Sequence, residues 1–184
     1  MKQRDAAIVG IHEYQSRDVE GKVSALQIKA ESAARALEDA GLSWSDVDAI
    51  YDAGDGGGMN GLTIAEYFGL KPTVIDTTNV GGSSYEFHAA HAKRDIASGK
   101  ANAALLTYGS TAHSNARAIG VGGAGGAGRH PADNMDVFSG MTLVANYAMV
   151  AHRHMHDYGT TSEQLAEISI ATRCHAMRNP DAVR

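Results

Sequence analysis

A chain of 184 residues, 43% hydrophobic and 20% charged, is long enough for a sizeable core and too apolar for wholesale disorder. Its net charge of −5, with no basic stripe interleaved with aromatics, argues against a nucleic-acid surface. No apolar run approaches the roughly 20 residues of a membrane helix, so no membrane span is expected. Met1–Asp5 runs straight into an apolar segment, leaving no room for a signal peptide, and the single Cys174 cannot close an internal disulfide. Both point to a cytoplasmic protein.

Ala6–Tyr14 is apolar and β-branched and predicts a buried strand. A helix is expected after Gly21, with Val23, Leu26, Ala30, Ala33, Ala34, Leu37 and Ala40 as its apolar stripe and Gly41 as a left-handed cap. Ser43–Asp48 reads as a capped turn leading into a strand over Ala49–Asp52. Beyond the glycine loop Gly54–Gly58, a short helix is expected near Leu62–Phe68. Thr73–Thr77 predicts a third strand, Ser83–Ser98 a helix, and Ala103–Tyr108 a fourth strand. This last is expected to be central because both of its faces are apolar. Such alternation predicts an α/β fold over residues 1–110, with a mainly parallel sheet and flanking helices.

After Gly109 the pattern changes. Ser110–Asp136 is long, glycine-rich and weakly patterned, as functional or mobile loops are. Two helices follow, at Ser139–Tyr158 and Ser162–Met177, the second opened by a capping box of Thr161 and Gln164. Residues 111–184 therefore read as a second region of glycine-rich loop and helices.

The segment Thr77–Ser84 (TTNVGGSS) carries the chemistry. Strand, glycine turn, small hydroxyl residues and helix start together point backbone N–H groups at an anion or oxyanion. The alternative is a structural turn in which Ser83 or Ser84 merely caps the helix. Ser84 and His88 lie one helical turn apart, as a nucleophile–base pair would, but Tyr85 occupies the last glycine position of a G-x-S-x-G elbow.

Gly120–Gly128 contains G-x-G-x-x-G twice, without the strand before it or the helix after it that a dinucleotide fingerprint needs. A loop that moulds around a ligand or partner fits better. Of His152, His154 and His156, only the first and last share a helix face, too few for a metal ion. Asp52 and Asp55 lack calcium-loop spacing. Cys174 reads as a small packing residue on its helix. No metal site is expected.

Several segments together resemble the thiolase superfamily, in its lipid-transfer-protein or sterol-carrier branch. They are Ile8–Tyr14 with Arg17, Ala34–Asp48, Val74–Ser84, Gly99–Ser110, Asn146–Gly159, Thr160–Ala166 and Ala171–Pro180. The likeness covers nearly the whole chain, in order. It implies the N-terminal half of a thiolase-like fold, with residues 111–184 as an incomplete part of the helical loop domain, and a homodimer as the natural unit.

In that family a cysteine nucleophile stands at this turn; aligning the Gly-Ser-Ser segments puts Asn79 in its place. A carboxamide is no nucleophile. The resemblance therefore implies a relative of the steroid side-chain aldolases, which cleave a carbon–carbon bond of an acyl-CoA alongside a small OB-fold, zinc-ribbon partner. Coenzyme A would enter as part of the substrate, with no tightly bound cofactor. Asn79, Gly81 and Gly82 would line the reacting centre. Ser83, Ser84, Arg117 and Arg129 would contact the substrate, the arginines at its phosphates. The acid and base groups are expected in a second half. The alternatives are a non-catalytic subunit assembled with such a partner, a cysteine-independent acetyl-CoA acetyltransferase, and, on the glycine motif alone, a Rossmann-type nucleotide binder.

Overall fold

Capping sets the first helix. The Ser24 hydroxyl accepts the Gln27 N–H at 3.1 Å while the Gln27 side chain accepts the Ser24 N–H at 2.8 Å, closing both ends of a capping box. Helix α1 (Ala25–Ala40) ends at Gly41, whose φ of 66° is the left-handed cap expected there. The computed structural model describes residues 6–15, 19, 22–54, 59–111, 114, 143–180 and 182. The chain divides into two units, Met1–Ala116 and Arg117–Arg184.

In the first unit, a 3-10 turn at Trp44–Asp46 delivers the chain into β1 (Ala49–Tyr51). Helix α2 (Gly61–Tyr67), β2 (Val74–Asp76), α3 (Ser84–Ala97) and β3 (Ala104–Leu106) follow. The strands form a parallel sheet in the order β2-β1-β3, with Ile50 opposite Ile75 on one side and Leu105 on the other. This is the α/β arrangement that the strand–helix alternation predicts.

The central strand is β1, not β3. Ala49, Ile50 and Tyr51 are all fully buried, whereas Leu106 on β3 is 38% exposed. Apolarity on both faces does not make a strand central; paired neighbours on both sides do. Ile50 packs with Ala33 and Leu37 of α1, Ile64 and Ala65 of α2, and Leu105. Ala49 and Tyr51 face the other way, toward Ala92 of α3 and Ala101. Two helices therefore cover one face and α3 the other. Burying Ile50 completely stabilises the fold by about 2 kcal/mol.

Ala6–Tyr14 forms no strand. Ile8, Val9 and Ile11 are 88%, 62% and 74% exposed, and the Ile11 N–H donates to the Asp39 carboxylate at 3.0 Å rather than to a ladder partner. Alternation and branching supply strand propensity, but a strand needs a neighbour, and the described sheet does not pair with this segment. On α1 the buried residues are Ile28, Lys29, Ala33 and Leu37, while Ala34 of the expected stripe faces solvent.

In the second unit, α4 (Leu143–Tyr158) ends at Gly159, and α5 (Ser162–Ala176) opens with the Thr161–Gln164 capping box. No residue of α5 is buried. Cys174 is exposed, so it is not the packing residue expected from its helical setting. Among the described residues no helix is long and apolar enough to cross a membrane.

Candidate functional site

The parallel strands send their carboxyl ends the same way, and α/β proteins place ligands outside that edge. At the end of β2, Asp76 Oδ1 accepts the Thr78 N–H at 2.8 Å and the Thr78 hydroxyl at 2.7 Å, and its Oδ2 lies 2.6 Å from His91 Nδ1. Burial acts to raise the Asp76 pKa, but the Thr78 hydroxyl and amide and His91 together hold it below the usual carboxylate value.

The chain then turns at Asn79. Its Nδ2 donates to the Ala53 carbonyl at 2.8 Å, and its Oδ1 accepts the Gly81 N–H at 3.2 Å. The Asn79 carboxamide therefore bridges the exit of β1 and the turn itself. Gly81 has a φ of 81°, a conformation that carries no steric cost only for glycine. A Cβ added at Gly81 or Gly82 would meet nothing within 4 Å, so the described residues leave these two positions uncrowded.

Ser84 is fully buried and clamps the turn from the helix side. It donates to the Gly81 carbonyl at 2.6 Å and accepts the Val80 N–H at 3.0 Å. Ser83 occupies the N-cap position of α3 but makes no side-chain cap bond. Three N–H groups of the turn are nonetheless engaged internally, Val80 on the Ser84 hydroxyl, Gly81 on Asn79 Oδ1, and Ser84 on the Gly81 carbonyl at 3.1 Å, so what the helix start offers a ligand is chiefly its field. His88, also fully buried, sets Nε2 2.9 Å from the Thr78 carbonyl. A carbonyl only accepts, so Nε2 carries a proton, while the buried Nδ1 has no hydrogen-bond partner. Ser84 and His88 thus serve separate carbonyls and form no nucleophile–base pair.

The structure brings Asn79, Gly81, Gly82, Ser83 and Ser84 into one turn. Arg117, Arg129, the glycine run Gly120–Gly128 and the start of the helix expected at Ser139 lie outside the described residues. An open polar groove of about 740 Å³ follows the outer edge of β2, lined by Thr73–Thr78, Arg94, Asp95 and Lys100. It reaches Thr78, and the residues of the Asn79–Ser84 turn are not among its walls.

Among the described residues no three His, Cys, Asp or Glu side chains converge on a common point. His154 bonds the Thr160 hydroxyl and His156 bonds Asp157, both at the exposed surface. Sequence reasoning missed a buried cluster. Lys29 and Asp52 are fully buried and paired at 2.7 Å, with Thr107 donating to the same Asp52 oxygen at 2.9 Å. Lys29 looks like a surface residue of α1, and nothing local announces its partner 23 positions away.

The fold has a close structural counterpart. A chain solved as "Ltp2-ChsH2(DUF35) aldolase" superposes with a TM-score of 0.77 at 28% identity, over 97% of this chain and 45% of that one. No protein-family model matches. The acetyl-CoA acetyltransferase of Methanothermobacter thermautotrophicus is 29% identical over 97% of this chain. The 17-hydroxy-3-oxo-4-pregnene-20-carboxyl-CoA lyase of Mycobacterium tuberculosis is 30% identical over 99%, and the steroid side-chain-cleaving aldolase of Thermomonospora curvata 29% over 96%. The chain spans about half the length of these curated relatives, 46–48% of each.

Proposed function

We propose that this chain is the carbonyl-holding part of a thiolase-like enzyme acting on acyl-CoA thioesters, and that the reaction is carbon–carbon cleavage by retro-aldol chemistry in lipid or steroid side-chain breakdown. The observation that carries the reading is the uncrowded Gly81–Gly82 turn at the start of α3, beyond the carboxyl end of β2, in a chain similar along its length to acyl-CoA lyases and acetyltransferases. Partial positive charge at a helix start stabilises an oxyanion.

In a retro-aldol step a base removes the β-hydroxyl proton of the acyl-CoA. The Cα–Cβ bond breaks, the β-carbon leaves as a carbonyl, and the electron pair passes to the thioester as an enolate. Protonation at Cα completes the products. The turn's task is to hold the enolate oxygen in the field of the helix start. No thiol is required, which suits a turn carrying Asn79. Gly82 and Gly81 would let the thioester approach, Ser83 and Ser84 would border it, and Arg117 and Arg129 would meet the phosphates of coenzyme A, here part of the substrate. A homodimer and an OB-fold partner protein belong to the same reading; the name of the structural counterpart pairs two components.

Similarity to an acetyl-CoA acetyltransferase favours a second reading, acyl transfer independent of cysteine. Incubating the protein with a β-hydroxyacyl-CoA and identifying products separates the two. A released ketone or aldehyde supports cleavage, whereas acyl exchange between thioesters supports transfer. Calorimetric titration that gave heat with NAD and none with acyl-CoA would defeat both.

A further inference from the structure

Lys29, Asp52 and Thr107 form a buried polar cluster that the chemistry above does not use. One carboxylate collects three donors: Lys29 Nζ at 2.7 Å and Thr107 Oγ1 at 2.9 Å on Oδ2, and the Gly54 N–H at 2.8 Å on Oδ1. The Lys29 stem is held tightly as well. A Cβ on Gly109 would come within 2.7 Å of both Lys29 Cγ and the Ala25 carbonyl. Helix α1 and the exits of β1 and β3 therefore meet at one ion pair.

Stability does not account for the pair. Removing two charges from water costs as much as their attraction returns, and a well-packed apolar trio of similar volume generally does as well or better. What the pair does supply is direction. Oδ1 of Asp52 fixes the Gly54 N–H two residues on and so shapes the tight turn around Ala53. The Ala53 carbonyl is the acceptor for Asn79 Nδ2, and Asn79 Oδ1 in turn holds the Gly81 N–H. A continuous line of bonds runs from a lysine in α1 to the backbone of the α3 turn.

We propose that Lys29 and Asp52 are positioning residues for that turn. Touching no substrate, they fix the Ala53 carbonyl so that the Asn79 carboxamide and the Gly81 backbone stand in the orientation an acyl thioester meets. This inference rests on the acyl-thioester reading of the turn. A site held through a relay fails by misplacement, and a shift of about 1 Å costs up to about 10²-fold in rate.

The test uses the full-length protein containing this chain, in four forms: wild type, the apolar replacement Lys29→Met/Asp52→Leu/Thr107→Val, Asn79→Ala, and the two combined. Three quantities are read: melting temperature, the side-chain amide resonances of Asn79 by ¹H–¹⁵N correlation, and kcat/KM for a β-hydroxyacyl-CoA. The apolar variant is expected to melt close to wild type, yet its two Asn79 amide protons should move toward their positions in the urea-unfolded protein. Its kcat/KM should fall about tenfold or more, mostly in kcat, and adding Asn79→Ala should cost less than it does in the wild-type background.

Unmoved Asn79 resonances in a folded variant, or losses that simply add, would overturn the proposal. Should the triple variant not fold, Asp52→Asn, which keeps the side-chain shape, is read by the same criteria. A wild-type protein inert toward acyl-CoA would sink the functional reading alone, because the resonances still decide whether the relay exists.

Discussion

Tyr51 donates its hydroxyl to Asp95 at 3.0 Å, joining the centre of the sheet to α3 through two side chains 44 positions apart. Burial first, and then the Asp95 carboxylate, push the Tyr51 phenol well above its usual value near 10. A raised pKa means that the folded state resists ionisation that the unfolded chain accepts. Stability from this group is complete below pH 10 and declines as pH rises through the folded value. Tyr51→Phe should therefore be less stable at neutral pH by about 2 kcal/mol, the worth of a hydrogen bond to a charged group. It should also lose stability less steeply above pH 10. Chemical denaturation at pH 7 and at alkaline pH checks both.

Asp48 governs the acid side. Burial opposes its ionisation, but the backbone N–H groups of Asn102 and Ala103, at 2.9 and 3.0 Å, and the Asn102 side chain lower its pKa from the ordinary value of 3.8. Asp76 and Asp95 are lowered as well. Their contribution is present above the unfolded value and is lost as pH falls through the folded one. Unfolding should therefore begin below about pH 4, and Asp48→Asn should flatten that limb. Urea midpoints measured from pH 6 down to pH 2 test the slope.

Two packing substitutions bracket the core of the first unit. Ile50→Ala empties a fully buried site between α1, α2 and β3 and should cost about 2–5 kcal/mol. Gly109→Ala drives a methyl against Lys29 and Ala25 and should cost about 1–3 kcal/mol. Thermal melts would show either effect; an unaltered Gly109→Ala melt would mean that the strand exit can shift aside.

For activity, Asn79→Ala should lower turnover by up to about 10²-fold, the cost of a reacting centre displaced by about 1 Å. The Asn79 amide is engaged with Ala53 and Gly81, so the variant also frees the turn. A kcat/KM indistinguishable from wild type would reduce the residue to turn chemistry.

The helices were readable because their signals are local. Ser24, Gln27 and Gly41 mark both ends of α1, and Thr161 with Gln164 opens α5, all within four residues of the end they define. Strand order was not readable, since it depends on pairing between distant segments. The short β1 is central because β2 and β3 both pair with it, while Ala6–Tyr14 has the composition of a strand and no ladder. The turn at Asn79–Ser84 was visible from its glycines and serines. Its supports were hidden: Lys29, Asp52 and His88 acquire their roles only when elements 10 to 55 positions apart come together.

Helix α5 has none of its fifteen residues buried, and Leu165, Ile168 and Ile170 are 41%, 69% and 53% exposed. Among the described residues nothing buries it, so its order there rests on intrinsic propensity and one cap, and a peptide of that length is marginal in water. Placed in deuterated buffer, the protein would exchange these backbone protons early, while the amides over Ala33 and Leu37 in α1 would still be counting hours.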